Sequence, residues 1–384
     1  MEARFNRLVR AIEKRYGELF GGGGAAPAFA LQLAGGPTAV FGRGEPEVTV
    51  VANDPSGVAA LSTLDLRRVG EAYLAGSLDV LGDIRRVLAA RDLFRDRHPL
   101  LFLYRFVRPL LYGQVRIDRA GIAHHYDEDP DFYLLFLDGR HRCYSQAVFA
   151  HDGEPLEEAM SRKIDYAIEQ TGLRPGERVL DIGGGWGAFV EHAGRKGIRV
   201  TSLTISEPSR RYIQALIDRE GLPCEVRLEH FFDHRPAEPY DAVVNLGVTE
   251  HLPDYPRSLR RYHDLLKPGG RVYLDASATR VKNDVSTFFE RYIFQGNGSP
   301  LCLHDYLTAL SRTPLEVEVV LNDRVNYLRT TRAWAERLDR HREEVERRWG
   351  KAQYRRFQVY LWGCVDGFER DLIQAYRLVL RRPD

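Results

Sequence analysis

The sequence is poor in the residues that cross-link a chain or carry it through a membrane. Its 384 residues hold four cysteines, Cys143, Cys224, Cys302 and Cys364, with no C-x-x-C pair among them. This argues against a disulfide framework and a cysteine-rich zinc site, and fits a reducing compartment. His124, His141, His263 and His304 lack metal-ligand spacing, so no metal is expected. No apolar run reaches the roughly 18 residues of a membrane span. Residues 1–20 are amphipathic and charged rather than continuously apolar, unlike a signal peptide. A formal net charge of +1 leaves no footprint for nucleic acid. Ser145 has no G-x-S-x-G context, which removes the usual hydrolase reading.

What is present divides into two patterns. In the first, residues 4–20 read as a helix, with Phe5, Leu8, Ile12 and Leu19 near helical spacing. A glycine break follows at Gly21–Ala26. Strand-like runs come at Ala28–Leu33 and Glu47–Ala52, and helical segments from about Thr63 to Arg91. This opening is expected to form a small α+β domain over residues 1–122. Leu100–Tyr112 is apolar but interrupted by Arg105 and Arg108, a mixture suited to a lipid interface or to a core helix with snorkelling arginines.

From Gly176 strands alternate with helices: Arg178–Ile182, Arg199–Thr204, Glu225–Leu228, Asp241–Leu246 and Arg271–Asp275 are the strands. Such alternation predicts an α/β fold with a mostly parallel sheet and helices on both faces. A further strand is expected at Leu315–Leu321, helix over about Thr330–Phe368, and a closing strand at Leu372–Leu380. Within residues 123–384, about 280–312 read as an insertion.

The most informative segment is Asp181-Ile182-Gly183-Gly184-Gly185-Trp186-Gly187, after one strand and opening a helix. Its glycines let the backbone approach a ligand, at the strand end where open α/β sheets bind ligands. The form D-x-G-x-G-x-G is typical of the turn that binds S-adenosylmethionine (SAM), with Asp181 facing the cationic amino end or a bridging water. Downstream segments fall in the expected order. Thr204, Ile205 and Ser206 suit the ribose and methionine parts, His230 and Phe231 the adenine, and Asn245 and Gly247 follow the fourth strand. Lys267-Pro268-Gly269-Gly270 is expected to turn into the fifth. The fold class is therefore a Rossmann-like class I SAM-dependent methyltransferase preceded by the α+β domain.

Several further segments resemble the cyclopropane fatty acid synthase family over nearly the whole chain, most strongly from His125 onward. They are His125-Tyr126-Asp127, the stretch from Phe132 to Asp138, Tyr144-Ser145, Glu250-His251, Arg291-Tyr292-Ile293-Phe294, and Tyr327 followed by Thr330-Thr331 and Trp334. The resemblance implies that Tyr144 and Ser145 reach the SAM carboxylate. It also implies transfer of a methyl group to the double bond of an unsaturated phospholipid acyl chain, through a carbocation that must lose a proton. A dry tunnel walled by Tyr133, Phe136, Phe288, Phe289, Tyr292 and Phe294 would shield that cation.

In the family, a bicarbonate held by cysteine, glutamate, histidine and tyrosine is thought to take the proton. Glu250 and Tyr327 stand in two of those places, but Gln146 replaces the cysteine and Asp275 the histidine. An aspartate beside Glu250 repels an anion. The expectation is therefore that Asp275 or Glu250 is itself the base, the two titrating as a coupled pair. Ser209 stands where the family often has glutamine, and His230 where an acidic residue is usual.

Three functions follow. The first is a lipid C-methyltransferase giving a cyclopropane or a methyl or methylene branch, with a reductase partner if the product is methylene. The others are a small-molecule methyltransferase acting on an amine or natural product, and a SAM-binding subunit without catalysis. The first implies a cytoplasmic protein in reversible contact with the inner membrane face, with a homodimer as its assembly. The fifteen basic and nine acidic residues from Arg324 onward would favour anionic headgroups, or form ion pairs along solvated helices.

Overall fold

The computed structural model describes residues 1–21, 27–96, 129–282, 286–293 and 298–384. The Leu100–Tyr112 segment, His124, the His125-Tyr126-Asp127 motif and Phe294 lie outside the described residues. Two compact units are formed. The first takes the described residues up to Asp96 together with Ser286–Ile293 and Leu338–Asp366, so it draws on three separate stretches of chain. The second holds the remaining described residues.

The second unit is built on seven strands: β5 (Arg178–Ile182), β6 (Arg199–Thr204), β7 (Glu225–Leu228), β8 (Tyr240–Leu246), β9 (Leu266–Ala278), β10 (Glu316–Asn322) and β11 (Gln374–Arg381). Their order is β10-β11-β9-β8-β5-β6-β7. Strands β5 to β9 pair in parallel, and β11 runs antiparallel between β9 and β10. The central strands read as nearly unbroken apolar runs because helices cover both faces; Val179, Leu180, Ala242, Val243 and Val244 have no exposed surface. Chain order reverses between β5 and β8, placing a switch-point crevice at their carboxyl ends.

The helices follow local signals. The helix Glu207–Glu220 starts at Ser206, whose hydroxyl accepts from the Ser209 amide, and stops at Gly221 in the left-handed region. The helix Leu156–Thr171 ends the same way at Gly172. Its buried stripe is Leu156, Ala159, Met160, Lys163, Ile164 and Ala167, a run that includes a lysine.

In the first unit, four strands lie in the order β2-β1-β3-β4: β1 (Phe29–Leu33), β2 (Thr38–Phe41), β3 (Val48–Ala52) and β4 (Leu78–Gly82). The helix Glu2–Phe20 buries Phe5, Leu8 and Ile12, which join Phe29, Leu31, Val48 and Leu78 in one core. Arg355, on the helix Lys351–Glu369, donates to the Tyr73 and Leu78 carbonyls and pairs with Asp79.

Two expectations are corrected. Helical segments were anticipated over Thr63–Arg91, but Gly76 at φ +83 stops the helix Leu66–Ala75 and the strand β4 follows. The helical region anticipated over Thr330–Phe368 is present as three helices, Arg324–Arg340, Arg342–Trp349 and Lys351–Glu369, the last break at Gly350 with φ +89. Lys267-Pro268-Gly269-Gly270 lies inside β9, whose pairing with β8 slips by a bulge between Tyr240 and Ala242.

Candidate active site

The glycine-rich turn leaves β5 and crosses the end of β6, where the amides of Gly183 and Gly184 both donate to the Leu203 carbonyl at 2.9 Å. The close approaches explain the glycines. A Cβ on Gly183 (φ +76) would lie 2.4 Å from Val248 Cγ2, and one on Gly184 2.2 Å from Ser202 Oγ. At Gly185, φ +53, an added Cβ would meet the Gly183 carbonyl oxygen at 4.0 Å. Gly187, at φ +79, begins the helix Ala188–Arg195 against Leu216.

Above this turn opens a cleft of about 680 Å³, counting its mouth. Its apolar lining includes Ile182, Leu203, Ile205, Phe231, Val248 and Leu252; Thr204, Ser206, Ser209, Glu229, His230 and His251 supply polar groups. Gly183, Gly185 and Gly247 complete it. The mostly apolar cradle with a few polar groups, open above Gly185, fits an adenosyl cofactor with a charged tail.

Of the residues expected to bind the cofactor, Gly183, Gly185, Thr204, Ile205, Ser206, His230, Phe231 and Gly247 line this cleft. Five do not, and the structure gives each another task. Asp181 is buried beneath the turn, accepting from Ser202 Oγ at 2.7 Å. Burial pushes its carboxyl up to about 6, opposed by that hydroxyl and by the charge of Lys163. Asn245 holds the chain behind the cleft, donating to Tyr262 Oη at 2.8 Å and accepting from the Val248 amide. Gly187 is a helix start. Ser145 packs on Gly247, whose added Cβ would lie 2.8 Å from that of Ser145. Tyr144 stacks among Tyr133, Phe136 and Trp334 at 5.3–6.1 Å. Val248, His251 and Leu252 are lining residues that the motif did not mark; they follow β8 directly, where a switch-point crevice must be walled.

Glu250 lies in the turn Thr249–His251 after β8. Its Oε1 accepts from the Ser277 amide at 2.7 Å and the Ser277 hydroxyl at 2.9 Å, while buried Oε2 has no hydrogen-bond partner. Burial pushes this carboxyl up to about 7; its own amide and Ser277 oppose the shift and the charge of Asp275 adds to it.

Asp275, two residues before Ser277 on β9, does not stand against Glu250 alone. Lys163 Nζ, fully buried, lies 3.2 Å from Asp275 Oδ2. Lys163 also donates to Ser145 Oγ and to Cys143 Sγ. Burial opposes its charge, yet Asp275 and Cys143 hold it above the ordinary lysine value. The expected repulsion of an anion by Asp275 therefore omitted a counter-charge. The signal was present in the sequence: Lys163 sits on the apolar stripe of its helix.

Gln146 is buried, with Nε2 donating to Asp323 Oδ2 at 2.7 Å and Oε1 without a partner. Tyr327 stacks on Phe368 with ring centres 4.9 Å apart. The five described aromatics of the expected tunnel wall divide between the units. Tyr133 and Phe136 are fully buried beside Phe132 in the second. In the first, Phe288 packs on Gly70, Phe289 on Tyr360, and Tyr292 donates to Glu71 at 3.0 Å. They belong to that unit because the insertion segment contributes the helix Thr287–Tyr292 to it. Among the described residues, no helix is long and apolar enough to cross a membrane. Many basic residues from Arg324 onward are already paired with carboxylates, among them Arg332, Arg337, Arg342, Arg355 and Arg377.

Comparison with known proteins matches this architecture. A family model described as mycolic acid cyclopropane synthetase matches residues 114–378. A probable fatty acid methyltransferase of Mycobacterium tuberculosis is 31% identical over 287 residues, 73% of this chain and 66% of that protein's length. The structure of the cyclopropane synthase MmaA2 from Mycobacterium tuberculosis superimposes with a TM-score of 0.63 at 29% identity, covering 68% of this chain and 98% of that one. The mycolic acid cyclopropane synthase CmaA1, complexed with SAH and CTAB, gives a TM-score of 0.63 at 27% identity, with 68% and 98% covered.

Proposed function

The chain belongs to the cyclopropane fatty acid synthase family and is a SAM-dependent methyltransferase, and on that premise we propose that it methylates the double bond of an unsaturated acyl chain in a lipid. The bound cofactor supplies an electrophilic methyl group. The cleft residues Thr204, Ser206, His230 and Phe231 bind and orient it, and the glycine turn lets the backbone come close. The alkene's π electrons form the new bond to the methyl carbon as the methyl–sulfur bond breaks and its electron pair stays on the departing thioether, which leaves a cationic acyl chain. That cation must shed a proton, and Glu250 Oε2 accepts it. The C–H electron pair then closes a cyclopropane ring, or forms a double bond and leaves a methylene branch.

The observation that carries this reading is the Glu250 carboxylate. One oxygen is fixed by Ser277, the other is buried without a partner, and its proton affinity lies near neutrality. A general base works best with a proton affinity near the working pH. A phospholipid is the substrate this reading favours, with contact at the membrane surface.

The test is to incubate the protein with methyl-labelled SAM and vesicles of cis-monounsaturated phospholipid, then analyse the released fatty acids by mass spectrometry. Labelled acyl chains carrying an added CH2 are expected, and fragmentation separates ring from branch. Label confined to soluble amines, or none at all with SAM bound, would overturn the proposal. Glu250→Gln should bind SAM normally and lose about 10²- to 10⁴-fold in turnover, the usual contribution of a positioned base.

A further inference from the structure

The two positions where this chain departs from its family's base site, Gln146 and Asp275, belong to a single buried array. Asp275 on β9 stands directly opposite Arg377 on β11 in the antiparallel register, so the two side chains share one face of the sheet. Arg377 pairs with Asp323, which also accepts from Gln146 Nε2 at 2.7 Å and from Asn326 Nδ2 at 2.8 Å. Lys163 closes the other end on Asp275. The order is Lys163, Asp275, Arg377, Asp323, Gln146, with charges alternating in sign and every residue buried. Counter-charges more than hydrogen bonds hold the array, since Asp275 Oδ1 and Oδ2 and Arg377 Nε and Nη1 have no hydrogen-bond partner, and such charges persist away from water only when paired.

The array abuts the cleft. Ser145, held by Lys163, packs on Gly247, and the Gly247 amide donates to the Asp275 carbonyl at 3.1 Å. Ser277, two residues along β9, holds Glu250.

We propose that Lys163 is a positioning residue for methyl transfer: it fixes the Asp275 carboxylate within this array and leaves Glu250 as the carboxylate that takes up the proton. The inference rests on the reading of Glu250 as base. Supporting it, the groups that face Glu250 are Asp275 and Ser277 of β9, the Ser299 amide on the Glu250 carbonyl, and the Tyr255 phenol, whose proton affinity burial raises and the Glu250 charge raises a little further. Those facing Asp275 are Lys163, Arg377, Asp323 and Tyr273. Asp181 feels Lys163 from below the glycine turn. Among these, the Asp275 charge raises the proton affinity of Glu250, so the state of the Lys163 pair sets where Glu250 titrates.

The pH profile of kcat on cis-monounsaturated phospholipid vesicles provides the test, with the full chain. Wild-type activity should rise with pH as Glu250 ionises, near 7. Lys163→Met combined with Asp275→Asn removes both charges. Its acid limb should move down by about one pH unit, with kcat reduced about 10- to 100-fold and KM for SAM nearly unchanged. Asp275→Asn alone strands the lysine charge and is the less stable of the two; where it folds, it should move the limb further the same way. An acid limb that stays put in either variant overturns the positioning role, as does a wild-type kcat in the double variant. Failure of the base reading looks different: Glu250→Gln would then keep normal turnover.

Discussion

A lysine inside a protein core is held there by its partners, and Lys163 illustrates what each is worth. Replacing it with methionine keeps the volume but strands the Asp275 charge. A buried pair broken on one side typically loses ~3–5 kcal/mol. Urea denaturation of Lys163→Met should show a loss of that order, and adding Asp275→Asn should restore most of it, because neither charge is then stranded. Glu250 makes a different contribution. In the folded chain it keeps its proton up to about 7, against an ordinary value of 4.5. Between those values the native state holds more protons than the unfolded chain, so stability falls as pH rises through that window. Glu250→Gln removes this slope. The variant should therefore gain on the wild type as pH climbs from about 5 to about 8, as measured by denaturation at both.

At the scale of single elements, the turn after β5 is the clearest case of sequence dictating a site. Gly183 has a positive φ and no room for a Cβ beside Val248, itself a cleft residue. Gly183→Ala should therefore destabilise the fold by about 1–3 kcal/mol, the usual cost of overpacking, and by displacing Val248 should weaken SAM binding in calorimetric titration of a protein that still folds. This turn, the strand alternation and Thr204-Ile205-Ser206 were legible because their constraints are local. The second half of the site was not. The members of the array lie far apart in the chain, and only the pairing of β9 with β11 makes neighbours of Asp275 and Arg377. Asp181 and Asn245 have partners that the sequence did not show, for a related reason. Their residue types suit a ligand, but they serve Ser202 and Tyr262 in the layer beneath. The insertion aromatics Phe288 and Tyr292 were assigned by motif to a tunnel, whereas Gly70 and Glu71 are their partners.

Across the molecule, β11 is the strand on which the second unit's sheet depends. It is the last in the chain yet lies inside the sheet, bonded to β9 on one side and β10 on the other. It also carries Arg377. Ending the chain at Asp371 would strip β10 of its neighbour and leave Asp323 without its guanidinium partner. Such a protein should lose its cooperative thermal transition, read by circular dichroism, rather than merely melt a few degrees lower.

The first unit's three-part construction has a consequence during synthesis. Residues up to Asp96 are made first, but their compact unit also needs Leu338–Asp366. With 270 residues separating Asp96 from Asp366, a ribosome working at about 5–20 residues per second delivers the missing helices roughly 15–50 s later. For that interval the Tyr73 and Leu78 carbonyls and the Asp79 carboxylate wait for the guanidinium of Arg355.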